Sequence, residues 1–461
     1  MLRYSCLKAS TALSSPQLSR LAFRTASRAL LTRPYSAVTA PPPCERVEIP
    51  SRSNGSFTVD VFRAPKPSAP ILLYLPPGPV VKKSPKDEER VIATLQDSSA
   101  ATVVRINYRA SSLHQYPTPC HDVLLGYDWV CEHLLIDEFS RPYLARLGVC
   151  GELVGGSLAT MLALTECRLG ESRIGAAAVN NPIVDWVFPD ELAVIRPEDL
   201  PEPQYGDETQ LPADEDLAGS LAIREAVDNL QTECKRPKKR SPKTPPPTSW
   251  QANRDNTIIP TWTLSEQRDV LFKKPQDYFD RFASPIHFFR SPHAQLTFPP
   301  QDDIFASLQP DIQPLDPEIQ MALNHYATFE EAVKAPPAIP TLSRCRAYAR
   351  NYPPGGTMPL SLPVWNITTG LQSPLSDTTH ELARMLQRSI ARQILKSHSG
   401  RSRWLDAAEK RQYEDIAKGR VEVDSHEGVG LWTQPGADVE QNPPLQQIGI
   451  WMKQRLEPGF V

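Results

Sequence analysis

Leu147-Gly148-Val149-Cys150-Gly151-Glu152-Leu153-Val154-Gly155-Gly156-Ser157-Leu158-Ala159-Thr160 is the stretch on which the fold is decided. Leu147 to Cys150 is short and apolar without helical spacing, as expected of a strand covered on both faces. Gly151 and Gly155 bracket a sharp turn, because residues without a Cβ let neighbouring backbones approach closely. Beyond the turn, Leu158, Met161, Leu162 and Leu164 continue as an apolar helix. A buried strand, a tight turn and a buried helix in immediate succession belong to a parallel sheet with helical crossovers. Leu153 occupies the middle of the turn.

Working outward, the same alternation recurs. Arg46 to Arg63 alternates around Asn54-Gly55 and predicts a β-hairpin. Ile71-Leu72-Leu73-Tyr74-Leu75 and Ala101 to Tyr108 read as buried strands, with a helix over 86–96 between them. His121 to His133 is helical, with Val123, Leu124, Tyr127 and Val130 on one face, and Ile174 to Val179 is the next strand. The closing elements are a strand over 362–368, a helix over 379–395, a strand over 420–423 and a helix over 444–456. Strands and helices in this order predict an α/β fold with a doubly wound, mostly parallel sheet. The folded domain is placed at 45–461, interrupted by a Pro-rich cap or disordered insertion at about 197–260 that carries the basic run Lys235 to Arg240. Further helices are expected at 264–274 and 315–333.

The 48 prolines against 21 glycines agree with long extended connections around that core. Residues 1–36 contain Arg3, Lys8, Arg20, Arg24, Arg28 and Arg33 and no acidic residue, which predicts a mitochondrial presequence cut near Ser36. Without those six cations the chain has 44 basic and 53 acidic residues, a net charge of −9. That balance argues against a nucleic-acid partner. No apolar run reaches the roughly 20 residues of a membrane span. Eight cysteines without a C-x-x-C pair predict free thiols, and no metal site or cofactor is expected.

Arg105-Ile106-Asn107-Tyr108-Arg109, then His114, Tyr116-Pro117 and Asp122 to Val130, fits N-Y-R-L-A-P-E-H-x-Y-P-A-P-x-x-D-V-x-x-G-Y-x-W-V without a gap. Gly151 to Ala159 fits G-D-S-A-G-G-N-L-A. These motifs resemble the hormone-sensitive-lipase-like branch of the α/β-hydrolases, the alpha/beta hydrolase fold-3 family. The resemblance is strong over 57–190 and weak over 360–461. It implies carboxylic-ester hydrolysis by a Ser-Asp-His triad, with an H-G-G-G loop donating to the oxyanion.

Each chemical part departs from that pattern. The nucleophile position in Gly151-Glu152-Leu153-Val154-Gly155 is Leu153, whose hydrocarbon cannot attack a carbonyl. Ser157 lies one helical turn on, where its hydroxyl is expected to bond a carbonyl one turn back. The oxyanion loop reads Pro76-Pro77-Gly78-Pro79, and proline has no N–H to donate. In Gly370-Leu371-Gln372-Ser373-Pro374-Leu375-Ser376-Asp377 the acid position is Ser373, with Asp377 at the supporting acid or as a helix cap. The histidine is placed at His426, in an imperfect match after the strand at 420–423.

The scaffold motifs are kept and the reactive groups are not. The expectation is therefore a non-catalytic protein of the mitochondrial matrix that acts by binding, as a subunit or adaptor of a larger protein assembly. One alternative is an ester hydrolase with an unorthodox nucleophile, for which the strand residue Cys150 is a poor candidate. The other is a protein that binds an acyl or sterol-like apolar ligand without turning it over.

Overall fold

The computed structural model describes residues 44–457, apart from 52–54, 67–68, 82–83, 136–145, 169–172, 194, 196–198, 204–210, 213–246, 298–339, 355–359, 402–403 and 434–442. The expected presequence, the basic run at 235–240 and the expected helix at 315–333 lie outside the described residues.

Strands β1 (Cys44–Pro50), β2 (Ser56–Phe62), β3 (Ile71–Leu75), β4 (Thr102–Asn107), β5 (Leu147–Glu152) and β6 (Ile174–Asn180) build most of one sheet. Two short pairs stand apart from it: β7 (Leu211–Pro212) with β10 (Tyr348–Ala349), and β8 (Ala294–Thr297) with β9 (Thr341–Arg344). Strands β11 (Val364–Gly370) and β12 (Val421–His426) complete the eight-stranded sheet, in the order β1-β2-β4-β3-β5-β6-β11-β12. It is parallel from β4 to β12, and the β1–β2 hairpin adds the antiparallel edge. The helices are α1 (Pro85–Ser99), α2 (Thr118–His133), α3 (Val154–Thr165), α4 (Ser249–Ala252), α5 (Thr261–Leu271), α6 (Ser376–Ser399), α7 (Ala407–Lys418) and α8 (Pro443–Leu456).

Side-chain alternation divides the buried strands between two cores. Leu72, Tyr74, Val103 and Cys150 face the layer made by Val91, Ile92 and Leu95 of α1 with Leu445, Ile448 and Met452 of α8. Ile71, Leu73, Leu75, Val104 and Val149 face the larger layer of α2, α3 and α6. Because both faces are covered, these strands are apolar throughout, which is why periodicity alone exposes them.

Two further structures extend the sequence reading. Helix α7 has no counterpart in it; Asp406 starts the helix by accepting from the Glu409 amide at 2.7 Å. Residues 247–260, at the end of the expected insertion, are folded. Thr248 caps α4 in a reciprocal capping box with Gln251. Trp250 is buried and stacks on Phe188 with ring centroids 4.6 Å apart. Ser249 N donates to Asp377 Oδ2 at 2.6 Å, and Asp377 N donates to Ser249 Oγ at 3.1 Å. Burying one large aromatic side chain outweighs the Pro-rich, polar composition around it.

Candidate functional site

The turn between β5 and α3 is the centre of the candidate site. Leu153 adopts φ 53° and ψ −114°, a region that a residue with a branched side chain enters only when its surroundings impose it. The surroundings are backbone: a Cβ on Gly155 would overlap the carbonyls of Leu75 and Pro76, and one on Gly151 would overlap the Gly155 carbonyl. Leu153 N donates to Asn180 O at 3.0 Å, and its own carbonyl accepts from Ser157 N at 2.9 Å and Ile183 N at 3.3 Å. The leucine side chain is fully buried, in the same apolar cluster as Val154, Leu375, Val429 and Leu431.

The loop at 76–79 presses on this turn. Val154 N donates to Pro77 O at 3.3 Å, and Tyr108 Oη donates to Pro76 O at 2.7 Å. Gly78 has φ 80°, and a Cβ there would sit 2.9 Å from Val154 Cβ. In α/β-hydrolases the amide after the nucleophile and an amide of this loop form the oxyanion hole. Here the first amide is bonded to the loop's own carbonyl, and Pro76, Pro77 and Pro79 bring no N–H.

Ser373 is fully buried in the turn after β11. Its hydroxyl accepts from Leu375 N at 3.2 Å, so it shapes the entry to α6. Asp377 does not cap its own helix; it joins α4 to α6 through Ser249.

His426 requires a correction. It is the last residue of β12, in register with Gly370 of β11, and so belongs to the sheet edge rather than to the returning loop. That loop, 428–433, is drawn over the turn by polar side chains from the neighbouring strands. Asn181 Nδ2 donates to Val429 O at 3.0 Å and Asn180 Nδ2 to Gly430 O at 2.7 Å. The Glu152 carboxylate accepts from Trp432 N at 2.5 Å, Thr433 N at 3.3 Å, Thr433 Oγ1 at 2.6 Å and Asn180 Nδ2 at 2.9 Å. Burial pushes the Glu152 carboxyl up to about 7, against the hydrogen bonds from Thr433, Trp432 and Asn180, which pull it down. Two residues of the loop, Val429 and Leu431, share Leu153's cluster. Neither carries a motif, and only Gly428 and Gly430, both with positive φ, mark the bend that delivers them.

The remaining nucleophile candidates are also committed. Ser157 does not bond a carbonyl one turn back; its hydroxyl donates to Ala283 O at 3.4 Å, because the segment over α3 offers an acceptor there. Trp186 Nε1 donates to the same carbonyl at 3.1 Å. The Cys150 thiol is bonded to Leu73 O at 3.4 Å and raised by burial to about 12, where the reactive thiolate is absent at neutral pH. Trp186, Phe272 and Tyr278 pack edge to face, with centroids 5.2 and 5.3 Å apart. Among the described residues, no group of three or more His, Cys, Asp or Glu is arranged to hold a metal, and no helix is long and apolar enough to cross a membrane.

A doubly wound sheet with a strained strand-to-helix turn at the carboxyl end of β5 defines an α/β-hydrolase scaffold. Residues 72–285 match the family model described as alpha/beta hydrolase fold. Over 124 residues, 25% of this chain, it is 30% identical to ethyl acetate hydrolase of Pseudomonas putida. The match covers 37% of that relative, so the chain spans little more than a third of its length. The fold is similar to that of carboxyl esterase 2 from Tuber melanosporum, with a TM-score of 0.50, 12% identity, and 93% and 90% of the two chains covered. For a hyperthermophilic esterase from Pyrobaculum calidifontis the TM-score is 0.48 at 17% identity, with 89% and 83% covered.

Proposed function

We propose that this protein is a non-catalytic α/β-hydrolase-fold protein that acts by binding, as a subunit or adaptor of a larger mitochondrial assembly. The observation that carries the non-catalytic part is the bond from Val154 N to Pro77 O, which occupies the amide an oxyanion would need. Loss of one such donor costs roughly 10²–10³ in rate, and loss of a triad serine about 10⁶ in a serine protease. Leu153, Ser373 and Leu431 add to this at the turn, the acid loop and the returning loop. The acid-free, arginine-rich composition of residues 1–36 supports the matrix assignment.

Hydrolysis of p-nitrophenyl acetate by the protein lacking residues 1–36 tests the first part. The expected rate is that of buffer, and turnover abolished by a serine-directed phosphonate would overturn it. For the second part, mitochondrial extract is resolved by size. The protein is expected in a complex well above its own mass, and migration as a monomer would count against an assembly role.

The likeness to an ethyl acetate hydrolase favours a second reading, ester hydrolysis by another nucleophile. It would need a hydroxyl or thiol freed from the bonds that now hold Ser157 and Cys150.

A further inference from the structure

Against the 76–79 loop lies a cavity of about 310 Å³, lined among others by Gly78, Glu88, Arg105, Asn107, Ser111 and His114. It sits at the carboxyl ends of the parallel strands β3 and β4, the end of an open α/β sheet where ligands collect. Its volume falls within the range of small-molecule sites.

The polar groups along it hold unused hydrogen-bonding capacity. Glu88 is 5% exposed, yet among the described residues its carboxylate accepts no hydrogen bond and meets only Arg105, Nη1 to Oε2 at 3.3 Å. Arg105 directs Nε to Asn107 Oδ1 at 2.6 Å, with Asp60 Oδ2 at 3.9 Å, and Nη1 to Glu88, leaving part of its five-donor fork for a ligand. His114 Nδ1 is buried with no hydrogen-bond partner. A buried polar group left unmatched is unfavourable, so a ligand that matches these atoms gains affinity.

Charge narrows the class of ligand. The charges around the cavity balance: Arg105 meets Glu88 and, at 3.9 Å, Asp60; Asp60 also holds Arg46 at 2.6 Å, and Arg109 pairs with Asp122 at 2.7 Å. An anion would meet the Glu88 carboxylate, and a cation would meet the Arg105 guanidinium. Adjacent acceptor and donor groups suit vicinal hydroxyls, one donating to Glu88 and the next accepting from Arg105. We propose that this cavity is a binding site for a neutral polyhydroxylated molecule of monosaccharide size, recognised by Glu88 and Arg105 side by side. The site shares no side chain with the Leu153 turn and does not rest on the non-catalytic reading.

Ligand-observed NMR on the full chain tests it, with D-glucose, D-galactose and myo-inositol as probes and glycine and inorganic phosphate as controls. Each is used at roughly 10 mM, above the millimolar dissociation constant that a few hydrogen bonds sustain. At least one polyol is expected to show saturation transfer. Ser111→Trp, which fills the cavity, should abolish it, and Glu88→Gln should weaken binding about tenfold. Circular dichroism checks that both variants are folded, and either one suffices. Absence of transfer to every polyol, a response to glycine or phosphate alone, or binding unchanged in the folded variants would overturn the assignment.

Discussion

Replacing Leu153 by serine puts a hydroxyl at the strained turn and leaves everything around it unchanged. Leu153 is fully buried in the main apolar cluster, so the substitution removes a core side chain and introduces a polar group there. Truncation of such a leucine costs about 2–5 kcal/mol, and an unmatched hydroxyl adds about 1–3 kcal/mol. Urea unfolding should therefore show Leu153→Ser at least roughly 3 kcal/mol less stable than wild type. Activity should not return. The amide of Val154 stays on Pro77 O, Ser373 carries no charge, and Leu431 cannot take a proton. Adding Leu431→His and Ser373→Asp would supply a base and an acid but leave the oxyanion site shut. A rate within experimental error of buffer is expected for that triple variant as well, because the residue 77 carbonyl still holds the Val154 amide. Stopped-flow hydrolysis of p-nitrophenyl acetate and labelling with a fluorophosphonate probe read this out. A burst equal to the protein concentration, or stoichiometric labelling, in Leu153→Ser alone would refute the reasoning about the closed loop.

Other outcomes follow from the same contacts. Glu152 has its folded pKa raised to about 7 from 4.5, so its contribution to stability is full below about pH 4.5 and is lost as pH rises through 7. The loss is about 3 kcal/mol across that window, and Glu152→Gln should remove this pH dependence from urea-unfolding curves. Gly155→Ala should prevent accumulation of folded protein, because the added methyl meets the backbone carbonyls of Leu75 and Pro76; a soluble variant with a wild-type melting curve would contradict the packing. Asp122→Ala should cost about 3–5 kcal/mol, since it removes a fully buried carboxylate that accepts from Arg109 Nε, Nη2 and the Arg109 amide; chemical denaturation measures this.

The sheet was legible because its central strands are buried on both faces, and Ile71–Leu75 or Leu147–Cys150 can be nothing but apolar. Element ends were less so. β12 runs on to His426 through parallel pairing with β11, and α6 begins at Ser376, where the N-terminal side chains are tied to Ser249. Both extensions depend on partners remote in the chain. Within the candidate site, the glycines at 151 and 155 located Leu153 from sequence alone. The amide of Val154 could not be found that way, because a backbone donor has the same formula at every position and only the fold supplies its acceptor. Leu431 escaped for a related reason. It is placed by Glu152, Asn180 and Asn181, whose bonds to the loop at 429–433 join segments far apart in sequence.

The closed turn has a consequence for solvent access. An oxyanion hole is, between turnovers, an amide open to solvent; here the Val154 proton is held by a carbonyl inside a tight joint. Amides of that kind trade their protons for deuterons only when the surrounding core opens, whereas frayed edges trade theirs continually. The residue after the turn therefore belongs among the slowest sites in the molecule, on the timescale of global unfolding.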